Sequence, residues 1–148
     1  MNTTGNIVQE GFPVSFDIIE QDHKFFPHPW KLDQWESLNP EQNLVFSWKV
    51  ETNLMGWALF GHLPGDDTVH LHKILVHPDH RGLGHVQRFW EAILAKLRKT
   101  SATQVYLEVE ASNQIAQKFY LKCEFQLIRR AKGYYSNGED ALIMLLTL

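Results

Sequence analysis

The stretch from Thr68 to Glu110 constrains the fold more than any other part of the chain. Thr68 to His77 is rich in β-formers, and Pro78-Asp79-His80-Arg81-Gly82-Leu83-Gly84 breaks the pattern as a loop. Val86, Phe89, Trp90, Ile93, Leu94 and Leu97 then recur at helical spacing. Gln104 to Glu110 alternates, with Val105, Leu107 and Val109 on one face and Tyr106, Glu108 and Glu110 on the other. Strand, helix and strand in that order predict a βαβ crossover, which lays the two strands parallel with a right-handed connection.

The flanking segments extend this unit into a mixed α/β (α+β type) sheet with helices against it. Pro13 to Leu38 is polar and aromatic, and Pro27 and Pro29 divide it into two short helices around Phe25, Phe26, Trp30 and Trp35. Leu44 to Val50 and Met55 to His62 form a hairpin across Glu51-Thr52-Asn53-Leu54, and Pro64-Gly65-Asp66-Asp67 turns into the strand from Thr68. After Glu110, Ser112 or Asn113 caps a helix to about Lys122. Phe125 to Arg130 and Ala141 to Leu148 are the last two strands. At 148 residues, residues 1–148 make one domain with one core.

Charge excludes some functions. A net charge of −3 opposes the basic surface that a strong grip on nucleic-acid phosphates requires, so no direct nucleic-acid partner is expected. Cys123 is the single cysteine and closes no internal disulfide. No segment approaches the roughly 18 apolar residues of a membrane span, and the first residues lack a secretory pattern. No membrane partner and a cytoplasmic location are therefore expected, while the oligomeric state is not legible.

The loop before the central helix is the first candidate site. Glycines let backbone approach a ligand, and a helix N-terminus presents unpaired N–H donors to an anion. Arg81 and the helix dipole both suit a pyrophosphate, each contributing about 0.3–1 kcal/mol near an exposed helix end. The alternative is that Gly82 and Gly84 only make a tight turn. The loop matches neither the dinucleotide fingerprint nor the P-loop.

His70, His72, His77, His80 and His85 cluster in sequence, and His-x-His on a strand puts two imidazoles on one face. No cysteine or carboxylate pattern completes a zinc motif, so solvent-facing histidines are the preferred reading and no metal is expected.

Read continuously, Ile74 to Gly84 resembles the acetyl-CoA-binding motif of GNAT acetyltransferases, with Arg81 and Gly84 at its first and fourth positions. Leu107-Glu108-Val109-Glu110-Ala111-Ser112-Asn113, then Ala116, Phe119-Tyr120 and Phe125, are similar to the RimI-type branch, which acetylates N-terminal alanines of bacterial ribosomal proteins. Tyr134-Tyr135, Glu139-Asp140-Ala141 and Ile143-Met144 extend the likeness, and Phe26-Pro27 and Pro29-Trp30 do so more loosely. Two positions depart from it: Val86 stands where Gly or Ala is expected, and Glu124 where Gly usually precedes Phe125.

The resemblance implies a GNAT-like, mostly antiparallel sheet with a central βαβ crossover, and an N-acetyltransferase that draws its acetyl group from acetyl-CoA. It implies Glu108 as general base, through water, and Tyr120 as general acid. The backbone of Ile74, Leu75 and Val76 would pair with the pantetheine arm. Arg81, Gly82, Leu83, Gly84, His85, Val86 and Gln87 would cradle the pyrophosphate, and Asn113 would meet the arm. Tyr134, Tyr135 and Trp30 would face the acceptor, either a protein N-terminus or a small-molecule amine. Without the resemblance, Glu108 reads as a solvated strand residue and Tyr120 as helix packing. Val86 and Glu124 leave open a CoA-binding or interaction module without turnover.

Overall fold

In the computed structural model, described for residues 5–63, 65–78 and 84–148, eleven elements build one seven-stranded sheet with helices on both faces. In chain order they are β1 (Asn6–Glu10), α1 (Phe16–Phe25), α2 (Leu32–Glu36), β2 (Asn43–Val50), β3 (Asn53–Gly61), β4 (Thr68–Val76), α3 (His85–Leu97), β5 (Gln104–Glu110), α4 (Gln114–Lys122), β6 (Gln126–Ala131) and β7 (Ala141–Thr147). The strands lie in the order β1-β2-β3-β4-β5-β7-β6, and only β4 and β5 are parallel. The expected mixed sheet and its βαβ crossover are both present. The first strand is an addition to the expected set: Asn6–Glu10 pairs antiparallel with β2 and makes the meander four-stranded.

Two apolar layers sandwich the sheet. On one face α3 buries Phe89, Trp90, Ile93, Leu94 and Leu97 among Phe46, Phe60, Val69, Leu71, Val105, Leu107 and Met144. On the other, Ile18 of α1 and Trp35 of α2 pack with Val45, Trp57, Leu59 and Leu75. Burying a leucine- or phenylalanine-sized side chain contributes about 1.5–3 kcal/mol, so α3, with five such side chains buried, is held mainly by its apolar stripe. Gln21 of α1 adds a polar tie, donating to the Leu54 carbonyl and accepting from Trp57 Nε1.

β4 changes face part-way along. Leu71 and Leu75 share a face in a regular strand, yet Leu71 joins the α3 layer and Leu75 the α1 layer. The cause is a β-bulge: Leu59 opposes Lys73 and Phe60 opposes Leu71, leaving His72 without an opposite residue. The bulge aims Lys73 at α1 and begins the site.

Candidate active site

Parallel pairing of β4 and β5 covers only Thr68–His70 against Gln104–Tyr106. Beyond it β5 stays with β7 as far as Glu110, and β4 stays with β3 as far as Val76. The two strands therefore part like the arms of a fork. Ile74, Leu75 and Val76 lie past the fork, where β4 no longer pairs with β5. A strand parted from its neighbour can offer N–H and C=O groups to an extended ligand.

A cavity of about 430 Å³ opens at the fork, lined by Ile74, Glu108, Glu110, Asn113 and Tyr120 among others. Glu108 enters from β5, on the face its alternation with Leu107 and Val109 dictates. Its Oε2 accepts a hydrogen bond from His70 Nε2 at 2.5 Å. Desolvation raises the carboxyl, but the hydrogen bond and charge of His70 outweigh it and hold Glu108 below the usual carboxylate range. His72, whose ring lies 4.3 Å from that of His70, is lowered to about 4 by desolvation and then by the His70 charge, so it is neutral at neutral pH.

Tyr120 comes from α4. Asn113 caps that helix by accepting from the Ala116 N–H, and Asn113 and Tyr120, about two turns apart, both line the cavity. Burial, then Cys123 and Tyr135, push the Tyr120 phenol upward and keep it protonated. Tyr135 lines the same cavity from the β6–β7 connection, its phenol raised to about 12 by burial and by Glu110 and Glu108. Tyr134 does not line the cavity; it is more exposed, and burial, the Glu108 charge and a hydrogen bond to that carboxylate raise it. The connection carrying both tyrosines is tied back to β5, since Ser112 N–H donates to Glu139 Oε1 and Ala111 N–H to the Asp140 carbonyl.

At the far end of β4, Gly84 precedes α3 with a φ of 76°, a left-handed value that suits glycine. The first α-helical bond runs from Arg88 N–H to the Gly84 carbonyl, so the N–H groups of His85, Val86 and Gln87 come before the ladder begins. The Val86 side chain packs partly against the α3 core layer, and the His85 ring lies against Trp48. Arg81, Gly82 and Leu83 lie outside the described residues.

Trp30 is not among the cavity-lining residues. It lies behind His72 and Trp35, with ring centroids 5.9 and 5.2 Å away. Phe26, Pro27 and His28 form that wall instead. Lys73 also touches the cavity, but its Nζ pairs with Asp22 Oδ1 at 2.5 Å under the rings of Phe26 and Trp30. Desolvation lowers the Lys73 pKa against the opposing effect of Asp22. Among the described residues no group of three or more His, Cys, Asp or Glu side chains converges as a metal site, and His70 turns to Glu108. That bond joins residues 38 positions apart, which local spacing does not reveal.

The sequence profile of the acetyltransferase (GNAT) family matches residues 6–125, most of the chain and all of the fork. The protein is a GNAT acetyltransferase. It is 27% identical over 100% of its length to the Escherichia coli K12 [ribosomal protein bS18]-alanine N-acetyltransferase, covering 99% of that protein. A second relative, an N-alpha-acetyltransferase of Saccharolobus solfataricus, is 36% identical over 51% of the chain and 46% of its own length. The crystal structure of the E. coli ribosomal-protein-S18-alanine N-acetyltransferase shares the fold with a TM-score of 0.78 at 23% identity, over 96% of this chain and 94% of that one. Arabidopsis thaliana NAA60 in complex with acetyl-CoA shares it at 0.76 and 15% identity, over 97% and 99%. As a GNAT acetyltransferase the chain takes its acetyl group from acetyl-CoA. No helix among the described residues is long and apolar enough to cross a membrane.

Proposed function

We propose that this GNAT acetyltransferase modifies the α-amine at a protein N-terminus, with Glu108 as base and Tyr120 as acid. The observation that carries the reading is the convergence of Glu108, Tyr120 and Tyr135 on one cavity that the α1–α2 and β6–β7 connections both line. The full-length likeness to the bS18-alanine N-acetyltransferase supports it. The cytoplasm, where newly made ribosomal proteins expose their N-termini, is the location this reading assigns.

Proton chemistry favours an α-amine. With a pKa of about 7.7–8.0, roughly one α-amine in ten is neutral at pH 7, against fewer than about one lysine side chain in a thousand. The acceptor arrives as an ammonium, and the cationic groups beside it are neutral or paired: His72 is neutral, Lys73 pairs with Asp22 and His70 with Glu108. Glu108 takes the departing ammonium proton through water, and the free nitrogen attacks the thioester carbonyl. Tyr120, kept protonated by burial, gives a proton to the leaving sulfur as the C–S bond breaks, and the second proton that the nitrogen sheds on becoming an amide restores the phenol. The edge of Ile74–Val76 pairs with the pantetheine amides, with Asn113 beside that arm. The N–H groups of His85, Val86 and Gln87 meet the pyrophosphate together with Arg81, Gly82, Leu83 and Gly84. Val86 fits this role because its side chain packs partly on the core while its backbone serves the anion. Tyr134 and Tyr135 meet the acceptor backbone.

The test is acetyl-CoA consumption with short peptides bearing free N-termini, beside a panel of small amines. Peptide-dependent turnover that falls about 100-fold in Tyr120→Phe is the expected result. Turnover with small amines alone overturns the acceptor assignment, and unchanged turnover in Tyr120→Phe overturns the acid.

A further inference from the structure

His70 and Tyr106 are the last pair of the parallel ladder, and beyond them the β4 and β5 backbones part. The next link across the fork is made by side chains, His70 Nε2–H to Glu108 Oε2. His70 is itself held tightly. Its ring stacks on Tyr106 at 4.2 Å and 12° on one strand and lies 4.3 Å from the His72 ring on the other. We propose that His70 is a positioning residue for acetyl transfer: it clamps one oxygen of Glu108 at the fork and orients the other toward the cavity.

Geometry and chemistry agree on this role. A carboxylate at the end of a two-torsion stem in a half-buried cavity is mobile and, on desolvation alone, drawn toward its neutral form, in which it cannot take a proton. A donor of fixed direction on Oε2 removes both problems, as outer-shell partners do for metal-binding histidines. The cost is a less basic carboxylate. That cost is tolerable here because Glu108 passes the proton to water instead of storing it. The other titratable groups around the pair are His72 on β4, Tyr106 on β5, Tyr134 and Tyr135 from the β6–β7 connection, Glu110, whose charge reaches Tyr135, and Asp66, whose charge reaches Tyr106. Lys73 turns away to Asp22 and does not compete for Glu108.

The inference rests on Glu108 as the base, and Glu108→Gln separates the two claims. The experiment compares wild type, His70→Gln, His70→Phe and Glu108→Gln, using whichever acceptor amine the wild type turns over best. Glutamine keeps an N–H donor at similar reach but no charge; phenylalanine keeps the stack on Tyr106 but no donor. At about pH 8, kcat is expected to fall about 3–10-fold in His70→Gln and about 100-fold in His70→Phe, with KM for acetyl-CoA within about twofold of wild type. With the hydrogen bond and electrostatic effect of His70 weakened, both of which lower its carboxyl, Glu108 takes up a proton at higher pH. The ratio of wild-type to His70→Gln kcat therefore widens as pH is lowered from about 8 to about 5.5, and using the ratio cancels titration of the acceptor. Circular dichroism of each variant checks folding. A ratio that stays constant across this range, or His70→Phe with wild-type kcat, overturns the inference while leaving Glu108 in place. Glu108→Gln with wild-type kcat overturns the base assignment itself.

Discussion

The Phe125 N–H donates to the Tyr120 carbonyl at 3.0 Å across Glu124, whose φ is 72°. The Glu124 N–H donates in turn to Leu121, and the Phe125 ring meets Tyr120 edge-on at 5.6 Å. These are the two bonds and the apolar contact of a helix C-terminus that turns through a left-handed residue, a position usually filled by glycine. Here a glutamate fills it, and the turn it makes anchors the last part of α4, which carries the proposed acid.

Glu124→Gly is therefore expected to stabilise the protein. A side chain in the left-handed region costs roughly 1–2 kcal/mol, and the extra freedom of glycine in the unfolded chain returns part of that. The net gain is about 0.5–1 kcal/mol, or about 1.5–3 °C in Tm for a chain of this size. Thermal melting of the two proteins checks it; a lower Tm in the variant contradicts the strain at Glu124.

The Asp22–Lys73 pair predicts a larger loss. Asp22 is fully buried, Lys73 is 8% exposed, and Asp22 Oδ2 also accepts the Trp30 N–H. Asp22→Ala leaves an ammonium buried among aromatic rings and costs about 3–5 kcal/mol. Replacing both, as Asp22→Leu with Lys73→Met, removes the charge along with its partner and recovers most of that stability. Urea denaturation of the single and double variants measures the difference. A double variant no more stable than Asp22→Ala shows that packing, not charge, sets the loss.

Helix α3 and strand β5 were legible because their apolar spacing is the packing: Phe89, Ile93 and Leu97 on one, Val105, Leu107 and Val109 on the other, all point into one core layer. Strand β1 was not, because Asn6–Glu10 is an edge strand with only Ile7 and Val8 apolar, and its half-exposed residues owe their form to β2. The bulge at His72 was hidden for a related reason. The residues around it look equally strand-like in either phase, and only the two different layers under Leu71 and Leu75 show that the face has changed. Glu108 and Tyr120 were found through family likeness, whereas the partner of Glu108 required the register of β4 on β5.

His72 makes a pH prediction for stability. Its pKa is lowered to about 4 in the folded protein, against 6.5 as the unperturbed value. Between those values the unfolded chain binds the proton and the folded one does not, so stability falls as pH drops from 6.5 toward about 4. His72→Gln removes this contribution, and its effect on the Glu108 carboxyl is secondary, His72 being the smallest of the causes that shift that group. Its stability should therefore decline less than that of wild type over the window. Urea midpoints for both proteins at intervals across it test the claim, and parallel curves would refute it.

Gly56 on β3 tests the fork from behind. It opposes Val76, and a Cβ there would sit 2.9 Å from the Leu75 carbonyl oxygen, which belongs to backbone and cannot swing aside. Gly56→Ala must shift the Leu75 segment of β4, which is proposed to meet the donor's pantetheine arm. The expected result is a loss of about 1–3 kcal/mol from the strained contact, together with KM for acetyl-CoA raised about tenfold or more. Gly11→Ala is the control, since nothing lies within 4 Å of a Cβ at that position. Acetyl-CoA titrations of turnover, read beside thermal melts, separate the effects. A destabilised variant with unchanged KM would mean that the Leu75 segment packs the sheet but does not bind the donor, and the pantetheine assignment would have to move to the β5 arm of the fork.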